Sequence, residues 1–521
     1  MTTASTPDLI VIGSGLGGLC AGALAARHGL EVVVLEAHTA AGGAAHGFER
    51  QLAPGRFHFE SGPSLWAGFG QWPSTNPLAQ VLHAIGESVP VVQYSDWGLL
   101  LPEGQLRVGV GLDPFLAVVR DLRGPAAAEE WQRFMAWLEP SCRAARDLPL
   151  LSLRADAGLA ATLGSQALQL LGRAPALARL GGGFGAIARR HLRDPFLLHW
   201  VDLLCFLISG LPMEHTSSAA MATLFGEWFE PDARLDYPIG GSPAVVNALV
   251  RGLENHGGQL RLGTAVERIV LDGNRAAGVV LAGGETLTCR RGVISNASPW
   301  ATLALLQHDG LHSRWQERQA DTPACRSFLH WHLALESSPA IEALPIHHVW
   351  VGDWQRGIDA ERNMAVLSMP SLLDPSLAPP GHQVLHGYTP ANEPWELWRD
   401  LERGTPAYRA LKAERCSLFH RVLEPLIPDW RERLVLELQG TPLTHRRYLR
   451  MHQGSYGPAW PADRGPFPGG RTPIDGLVLC GAGVFPGIGV PPVAVSGAMA
   501  AHSFVPARQQ RQLLAELGLQ P

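Results

Sequence analysis

The apolar positions near the amino terminus form two short runs with a helical pattern between them. The runs Leu9–Ile12 and Val32–Leu35 have the length and the β-branched content of buried strands. Apolar and small residues recur at helical spacing over residues 19–28, and Gly29 ends the pattern. The stretch therefore predicts a strand–helix–strand unit, which is the building block of a parallel sheet.

A glycine-rich turn joins the first predicted strand to the helix in the pattern Gly13-x-Gly15-x-x-Gly18. Gly13 allows the tight turn, Gly15 lets a pyrophosphate approach the backbone, and Gly18 lets the helix pack close to the sheet. The N–H groups of the first helical turn favour an anion at this point. Glu36 follows the second strand, about 20 residues on, where it can accept hydrogen bonds from an adenosine ribose. The unit predicts dinucleotide binding, and the alternative is a plain glycine-rich turn in an α/β core.

The rest of the chain alternates between strand patterns and longer helical patterns. Further strands are predicted at residues 56–60, 97–101, 106–110, 259–271, 276–281, 285–289, 292–296, 328–335, 347–351, 364–369 and 383–388. Further helices are predicted at residues 115–122, 129–138, 144–148, 243–256, 406–423 and 493–504. The strands between residues 259 and 289 are expected to form a small β-meander, after which residues 292–296 rejoin the parallel sheet.

This order of elements predicts an α/β protein in which a Rossmann-like dinucleotide-binding domain interleaves with an α+β substrate domain. We expect the dinucleotide-binding domain to comprise residues 1–95, 236–325 and 441–521. The substrate domain is expected to comprise residues 96–235 and 326–440.

Composition adds exclusions to this picture. The net charge of −5 offers no general attraction to nucleic acid, so we expect no nucleic-acid partner. The seven cysteines are scattered and contain no CxxC pair, which favours a reducing compartment and argues against a disulfide framework. The first residues lack the basic and apolar segments of a secretory signal, so a cytoplasmic protein is expected. The 16 tryptophans either pack in the core or form contact surfaces for a hydrophobic ligand.

Two stretches bear on membrane contact. Residues 196–208 are the most apolar of the chain but fall short of the ~20 residues that a spanning helix needs. They predict a buried helix or the wall of an apolar tunnel. Residues 159–193 place arginines among apolar residues, which is typical either of a helix lying on an anionic membrane or of a solvated helix face. These arginines are Arg173, Arg179, Arg189, Arg190 and Arg193. We expect peripheral contact with a membrane.

Two histidine pairs could contribute to a metal site, namely His330 with His332 and His347 with His348. A structural or catalytic metal needs three or four protein ligands, and neither pair has a third ligand at a clear spacing. We therefore expect no metal. The sequence also lacks a GxSxG motif, so no nucleophilic serine is predicted.

Four motifs carry a resemblance to a known family. They are the glycine-rich unit up to Gly43, FHFESGPS at 57–64, YPIGGSPAVVNALVRGLENHGG at 237–258, and GLVLCGAGVFPGIGVPPVAVSGAMAAH at 476–502. In this order they resemble FAD-dependent flavoproteins of the amine-oxidase type, and more narrowly the phytoene desaturase group. Within that group the chain is most similar to carotenoid cis–trans isomerases of the prolycopene isomerase type. The FPGIGV segment and the AVSGAMAAH helix carry most of the narrower resemblance.

The resemblance implies an amine-oxidase-type FAD-binding fold, with FAD held across the first and last segments and an apolar tunnel for a long polyene substrate. Gly13, Ser14, Gly15 and Gly18 would face the pyrophosphate, Glu36 the ribose, and Val266 the adenine. The other implied contacts are Gly42, Gly43 and Ala44 at the pyrophosphate and ribityl chain, Gly62, Pro63 and Ser64 near the isoalloxazine, and Gly481, Ala482, Gly489, Val490 and Pro491 in the C-terminal flavin segment.

Two positions depart from the family pattern. Members often have arginine at the position of Ala44, and they usually have Gly-Asp where this chain has Gly481-Ala482. That aspartate typically contacts the ribityl or phosphate region, so its replacement removes one polar anchor. The expected consequence is weaker FAD binding, a substitute polar group, or drift away from redox chemistry.

The activity that the resemblance implies is isomerisation of a poly-cis, prolycopene-like carotenoid by reduced flavin. The alternatives are a desaturase, saturase or other isoprenoid oxidoreductase, and a non-catalytic pigment-binding protein with a flavoprotein fold. Glu60 is the one carboxylate beside the flavin turn, and it is either a proton donor with a raised pKa or, as we favour, a structural cap. Tyr456 either lines the substrate mouth or packs in the core.

Overall fold

The strands and helices follow most of the predicted pattern. The computed structural model of the protein describes residues 6–62, 64–164, 167–228, 233–307, 313–465 and 467–519. Its strands are β1 Leu9–Ile12, β2 Val32–Leu35, β3 Gly47–Leu52, β4 Gly55–Glu60, β5 Val91–Tyr94, β6 Asp96–Leu101, β7 Gly104–Gly109, β8 Leu235–Pro238, β9 Gln259–Arg261, β10 Val266–Asp272, β11 Arg275–Leu281, β12 Thr286–Thr288, β13 Gly292–Ser295, β14 His330–Glu336, β15 His347–Val351, β16 Met364–Ser368, β17 His382–Tyr388, β18 Leu434–Gly440 and β19 Leu477–Leu479.

The helices lie between and around these strands. They are α1 Leu16–Arg27, α2 Pro77–Ala84, α3 Leu112–Arg123, α4 Pro125–Arg146, α5 Leu159–Leu163, α6 Ala167–Ala178, α7 Phe184–His191, α8 Pro195–Ser209, α9 Ser218–Trp228, α10 Gly241–Asn255, α11 Pro299–Leu306, α12 Ser313–Ala320, α13 Pro339–Glu342, α14 Pro406–Leu423, α15 Pro442–Leu449, α16 Val490–His502 and α17 Ala507–Glu516.

A five-stranded parallel sheet joins the two ends of the chain to its middle. Its strand order is β19-β13-β1-β2-β9, and Leu9 of the central strand β1 pairs with Val32 on one side and Gly292 on the other. Strands β1 and β2 are buried along their whole length, which explains why both read as continuous apolar runs. The C-terminal strand β19 reaches this sheet by pairing with β13.

Helices α1 and α16 pack closely against each other beside this sheet. A Cβ atom on Gly497 of α16 would overlap the carbonyl oxygen of Gly17 in α1, so the contact requires glycine. Helix α1 begins at Leu16, three residues before the predicted start, because its first turn contains glycines that contribute nothing to an apolar pattern. Helix α16 likewise begins at Val490, ahead of the predicted 493, since prolines fit the first turn of a helix.

The predicted strand at 259–271 is wrong as a single element. Residues 259–261 form β9 at the edge of the parallel sheet, where Gln259 pairs with Val33. Residues 266–272 form β10, which starts the predicted antiparallel meander with β11 and β12. Between them Gly263 has a positive φ of 63°, and this turn separates the two strands.

The second large sheet is mixed and has seven strands, in the order β18-β14-β17-β16-β15-β6-β7. One face packs against α14, where Trp331 of β14 stacks on Phe419 at a ring-centroid distance of 5.5 Å. At the β15–β6 end the opposite face packs against the helical layer, in which Trp200 stacks on Phe115 at 4.5 Å. Trp131 and Trp200 are fully buried, so these tryptophans serve core packing.

Three elements of the structure differ from the sequence prediction. Strand β18 was not predicted, because its residues are all half-buried except for the last and show no clean alternation. The patterns at 129–138 and 144–148 belong to one continuous helix, α4, which accommodates Pro140 in its interior. Residues 47–52 form β3, which pairs with β4, although no strand was predicted there.

The most apolar stretch of the chain forms helix α8, whose core residues are buried, as the buried-helix alternative predicts. Among the described residues, none of the helices combines the length and hydropathy needed to cross a membrane.

Candidate FAD and substrate site

The glycine-rich turn and the acid after β2 are directly connected. The backbone N–H and the hydroxyl of Ser14 both donate to Oε2 of Glu36, each at 2.8 Å. The N–H of His38 donates to Oε1 of the same carboxylate, also at 2.8 Å. Gly13 adopts a φ of 91°, and its N–H donates to the carbonyl of Leu35, so the turn reaches across to the end of β2. Glu36, the predicted ribose-binding acid, is therefore held beside the turn.

The loop after Glu36 returns to the same turn. The N–H of Gly42 donates to the carbonyl of Ser14 at 3.0 Å, and Gly42 forms a parallel bridge with Gly15. A Cβ atom on Gly43 would lie 3.0 Å from the Cα of Gly15, so glycine permits this approach. Ala44 follows in a short 3₁₀ turn. The structure thus brings together the two predicted pyrophosphate segments.

The predicted isoalloxazine segment lies against this loop. A Cβ atom on Gly62 would overlap the carbonyl oxygen of Ala44, so the backbones meet without room for a side chain. Ser64 is buried, and its hydroxyl lies 3.5 Å from both the Gly62 carbonyl and Nδ1 of His386. Pro63 falls outside the described residues.

The residues after β19 reach the start of α1. A Cβ atom on Gly17 would lie 3.1 Å from the N and Cα atoms of Gly481. Gly481 has a φ of 91°, and its N–H donates to the hydroxyl of Ser496 at 2.8 Å. Ala482 is half-buried next to it. The position where the family pattern has aspartate therefore lies close to the first turn of α1.

Asn296 is a site residue that the sequence pattern did not identify. Its side-chain amide would lie 2.8 Å from a Cβ atom on Gly15 and 2.7 Å from one on Gly17, so it faces the glycine turn. Asn296 immediately follows β13, which is the parallel neighbour of β1. The rule that ligands bind at the carboxyl ends of parallel strands could have singled it out once β13 was placed next to β1.

The remaining predicted contacts lie at the start of helix α16 and at the start of strand β10. Gly489 has a φ of 117° and precedes α16, while Val490 packs against the apolar cluster that contains Leu16 of α1. Pro491 occupies the first turn of α16. Val266 is buried at the start of β10, two residues after Thr264, whose N–H donates to the Glu36 carbonyl at 2.7 Å.

Glu60 is buried and fully engaged by hydrogen bonds. The N–H and hydroxyl of Ser242 donate to Oε1 at 2.6 and 2.8 Å, and the Tyr237 hydroxyl donates to Oε2 at 2.9 Å. Burial raises the pKa of Glu60, although these donors counteract part of the shift. Because Ser242 lies in the first turn of α10, the carboxylate joins β4 to the start of that helix. This geometry favours the capping role.

Histidines line the sheet face behind Ser64. His330 and His332 lie on β14, and His386 lies directly opposite His332 on β17. Nε2 of His332 donates to the Glu60 carbonyl at 2.8 Å. Burial lowers the pKa of His332 to about 4 and that of His386 well below its usual value, so these imidazoles are neutral near pH 7. The third histidine that the sequence lacked is therefore supplied by a neighbouring strand.

Tyr456 is half-buried and packs against the apolar cluster of the helical layer. Its ring meets Phe328 edge-on at a centroid distance of 5.8 Å, and burial raises its pKa to about 12.

The other histidine pair, His347 and His348, does not point to a common site. His347 forms hydrogen bonds with Ser368 and Tyr94, while His348 packs over Gly98.

The cradle fits a dinucleotide. The start of α1 has no side-chain cap, so its first N–H groups are available to a pyrophosphate, and the glycines keep the approach clear. The acid at the end of β2 lies beside this turn, where the predicted ribose contact requires it. The fold and this site define a dinucleotide-binding α/β protein.

Comparison with known proteins agrees with this class. The model of the flavin-containing amine oxidoreductase family matches residues 16–503. The chain is 31% identical to the prolycopene isomerase of Daucus carota, over 98% of this chain and 81% of that protein. It is 27% identical to the lycopene-forming phytoene desaturase of a Paracoccus species, over 94% of this chain and 95% of that protein. An oxidoreductase from Methanosarcina mazei, at 18% identity, shares the fold with a TM-score of 0.61 over 94% of this chain and 98% of its own.

The chain belongs to the flavin-containing amine oxidoreductase family, and within it to the group of prolycopene isomerases and phytoene desaturases. It is an FAD-dependent enzyme of that superfamily, which confirms the predicted fold class, cofactor and family. The alternative of a non-catalytic pigment-binding protein is set aside on the same ground. The roles of individual site residues stay predictions.

Proposed function

We propose that the protein is a carotenoid cis–trans isomerase that converts a poly-cis, prolycopene-like carotenoid with the help of reduced FAD. The observation that carries the proposal is the identity of 31% with a prolycopene isomerase over 98% of the chain. When bound, reduced FAD supplies electron density to the polyene, and this lowers the barrier to rotation about a C=C bond.

The tasks left to the protein are to bind, to orient and to exclude water. Isomerisation transfers no atom to or from the substrate, so it requires no charged group beside the polyene. The sheet face near Ser64 presents Val384, His386 and Tyr388 on one side of β17. Glu60 acts as a positioning residue that fixes β4 against α10, and its three hydrogen bonds support this role.

We assign the cofactor contacts to the segments that meet around the glycine turn. Ser14 and Glu36 hold the ribose side. The segments at Gly42 and Gly62, which pack tightly on neighbouring protein atoms, are assigned to the pyrophosphate and the flavin ring. Asn296 supplies a polar group next to Gly481, where Ala482 lacks one. The FAD-binding domain then comprises residues 1–95, 236–325 and 441–521, which contain every strand of the parallel sheet.

Desaturation is the second candidate, and the identity of 27% with a phytoene desaturase over 94% of the chain favours it. The two reactions differ in their products. Expression in cells that accumulate poly-cis carotenoids, followed by chromatography and mass spectrometry of the pigments, separates them. An isomerase changes retention time at constant mass, whereas each desaturation removes two hydrogens. Unchanged pigments would contradict both candidates.

We also propose that the enzyme contacts an anionic membrane, thylakoid or plasma membrane, through α6. Leu171 on this helix is 68% exposed, and Ala174 and Ala178 are exposed on the same helical face. Arg190 is exposed on the following helix α7. An exposed apolar face with nearby arginines suits the interface of an anionic bilayer.

Flotation with anionic vesicles tests the membrane proposal. The wild-type protein is expected to float with the vesicles, and Leu171→Asp is expected to reduce the floating fraction. Leu262→Asp is the matched control, because Leu262 is also exposed, at 43%, but lies next to β9 in the other sheet. A wild-type protein that stays at the bottom of the gradient, or equal loss in both variants, would contradict the proposal.

A further inference from the structure

We propose that His330, His332 and His386 bind one divalent transition-metal ion on the face of the seven-stranded sheet that is opposite to α14. This group is called the histidine triad below. The inference goes beyond the proposed isomerase activity and does not depend on it, because the three ligands come from the sheet and not from the FAD cradle.

The sheet geometry brings the three rings together. His330 and His332 are two residues apart on β14, so their side chains point to the same face. Strand β17 runs antiparallel to β14 and places His386 directly opposite His332. One ring nitrogen from each histidine lies within 4.8 Å of the other two, and all three side chains are buried. Two histidines on one strand and a third on its neighbour thus present three nitrogen ligands, the number a catalytic zinc site commonly has.

The hydrogen bonds around the histidine triad are those expected of metal ligands. His332 donates Nε2–H to the Glu60 carbonyl at 2.8 Å, which leaves Nδ1 with its lone pair. A metal-bound histidine typically donates its second nitrogen to a backbone carbonyl or a carboxylate in this way. Glu60 is itself fixed by Ser242 and Tyr237, so the orientation of His332 is supported from behind.

His386 provides the second, independent observation. Its Nε2 is buried and has no hydrogen-bond partner, and the residue is only 2% exposed. A buried polar atom without a partner is costly, so it calls for a physical explanation. Nδ1 of the same ring lies 3.5 Å from the Ser64 hydroxyl, which would orient the ring. A metal ion in contact with Nε2 would satisfy the nitrogen.

Small movements complete the site. A tetrahedral ion with metal–nitrogen bonds near 2.1 Å requires nitrogens about 3.4 Å apart, so nitrogens that lie within 4.8 Å of one another need to approach by at most about 1.4 Å. The rings of His332 and His386 stack with planes 5° apart and centroids at 5.0 Å, so their in-plane lone pairs now run parallel. Convergence on one ion requires the His386 ring, whose only hydrogen-bond contact among the described residues is the 3.5 Å one with Ser64, to turn about its Cβ–Cγ bond while His332 keeps its bond to Glu60. His445, whose Nε2 also lacks a partner, lies beside His330 at a centroid distance of 4.7 Å and offers a fourth imidazole.

The ligand set selects the class of metal. Imidazole nitrogens suit Zn²⁺, Co²⁺, Fe²⁺, Ni²⁺ and Cu²⁺, whereas Mg²⁺ and Ca²⁺ prefer oxygen ligands. The Ser64 contact places the histidine triad next to the segment assigned to the isoalloxazine, so a bound ion would lie close to the cofactor.

The test measures metal directly. The untagged protein is purified with its FAD, and its metal content is determined by mass spectrometry. The metal-free protein, still holding FAD, is then titrated with Co²⁺ while its visible absorption is followed. We expect binding of about one ion per chain with imidazole coordination. His386→Gln and His330→Gln are expected to weaken Co²⁺ binding by at least about tenfold, since even outer-sphere partners of metal ligands are worth 10- to 100-fold.

His347→Gln is the matched control, because His347 is a buried histidine on β15 outside the triad. It should retain Co²⁺ affinity, and the flavin absorbance of each variant reports whether the fold is preserved. A wild-type protein that holds no metal and gives no Co²⁺ signal overturns the proposal, as does equal Co²⁺ affinity in the wild type and the triad variants. Neither readout uses the carotenoid reaction, so failure of the isomerase proposal would be seen separately.

Discussion

Ser14 places both its backbone N–H and its hydroxyl on one carboxylate oxygen of Glu36, each at 2.8 Å. The glycine turn after β1 and the acid after β2 are therefore one hydrogen-bonded unit, although 22 residues separate them in the chain. This unit is built at the carboxyl ends of two adjacent parallel strands, where nucleotides bind in folds of this type.

Replacement of the acid should weaken FAD binding. In Glu36→Gln the ribose hydroxyls lose a charged acceptor, and a hydrogen bond to a charged group is worth about 1.5–3 kcal/mol. We expect FAD to bind roughly 10- to 100-fold more weakly to the variant apoprotein in a fluorescence titration. Ser14→Ala should have a smaller effect, since Glu36 keeps the His38 contact. Equal FAD affinity in Glu36→Gln and wild type would contradict the assigned role.

A methyl group at residue 62 should disturb the flavin segment. The Cβ atom of Gly62→Ala would overlap the carbonyl oxygen of Ala44, so the two backbones must separate. We expect a loss of bound FAD per chain, measured by absorbance after gel filtration, together with reduced thermal stability. Gly172→Ala is the control, because Gly172 lies in α6 with open space around its Cα.

The control should behave in the opposite way, since alanine is favoured over glycine inside a helix by about 0.5–1 kcal/mol. Full FAD occupancy in Gly62→Ala would show that the Gly62–Ala44 contact does not shape the cofactor site.

Glu60 should make stability depend on pH. Burial raises its pKa in the folded protein above the ordinary value, so the folded state holds this proton more tightly than the unfolded chain. Wild-type stability should therefore fall as pH rises from the unfolded pKa to the folded pKa, and this contribution should be absent in Glu60→Gln. The difference between the free energies of unfolding of the variant and the wild type, from urea titrations at several pH values, should grow in favour of the variant through that window. Parallel profiles would contradict the raised pKa.

A buried ion pair should contribute to the stability of the second sheet. Arg415 of α14 makes a bidentate contact with Glu393, with nitrogen–oxygen distances of 2.8 and 2.9 Å, and the Glu393 side chain is fully buried. Removal of one member leaves an uncompensated buried charge, so Arg415→Met should cost about 3–5 kcal/mol in the free energy of unfolding.

The exposed pair between Arg399 and Asp400 offers the control. Arg399→Met is expected to leave the urea midpoint unchanged, because exposed pairs contribute little. A similar midpoint shift for both arginine variants would show that burial of the pair is not what matters.

The sequence predicted the parts of the fold in which local pattern decides the outcome. Strands β1, β2 and β15 and helix α14 begin and end where the apolar pattern places them, because each is long enough or buried enough to show its period. The split of residues 259–271 was missed, since the turn at Gly263 leaves the apolar pattern uninterrupted. Strand β18 was missed for want of alternation.

The residues of the site could be predicted where one local motif contains them. They could not be predicted where strands that are distant in the sequence bring them together. The glycine turn and Glu36 could be predicted because a single strand–helix–strand unit contains both. Asn296 and His386 could not, since their positions depend on which strands become neighbours: β13 beside β1, and β17 beside β14. Non-local pairing of this kind leaves no spacing signal in the sequence.

The most direct test of the central claim is an anaerobic incubation of the purified holoenzyme with a poly-cis carotenoid, with the flavin either reduced or oxidised. The pigments are then resolved by chromatography and weighed by mass spectrometry. The account predicts an all-trans product of unchanged mass that forms only when the flavin is reduced. A product lighter by two hydrogens, or a poly-cis carotenoid recovered unchanged under reducing conditions, would contradict it.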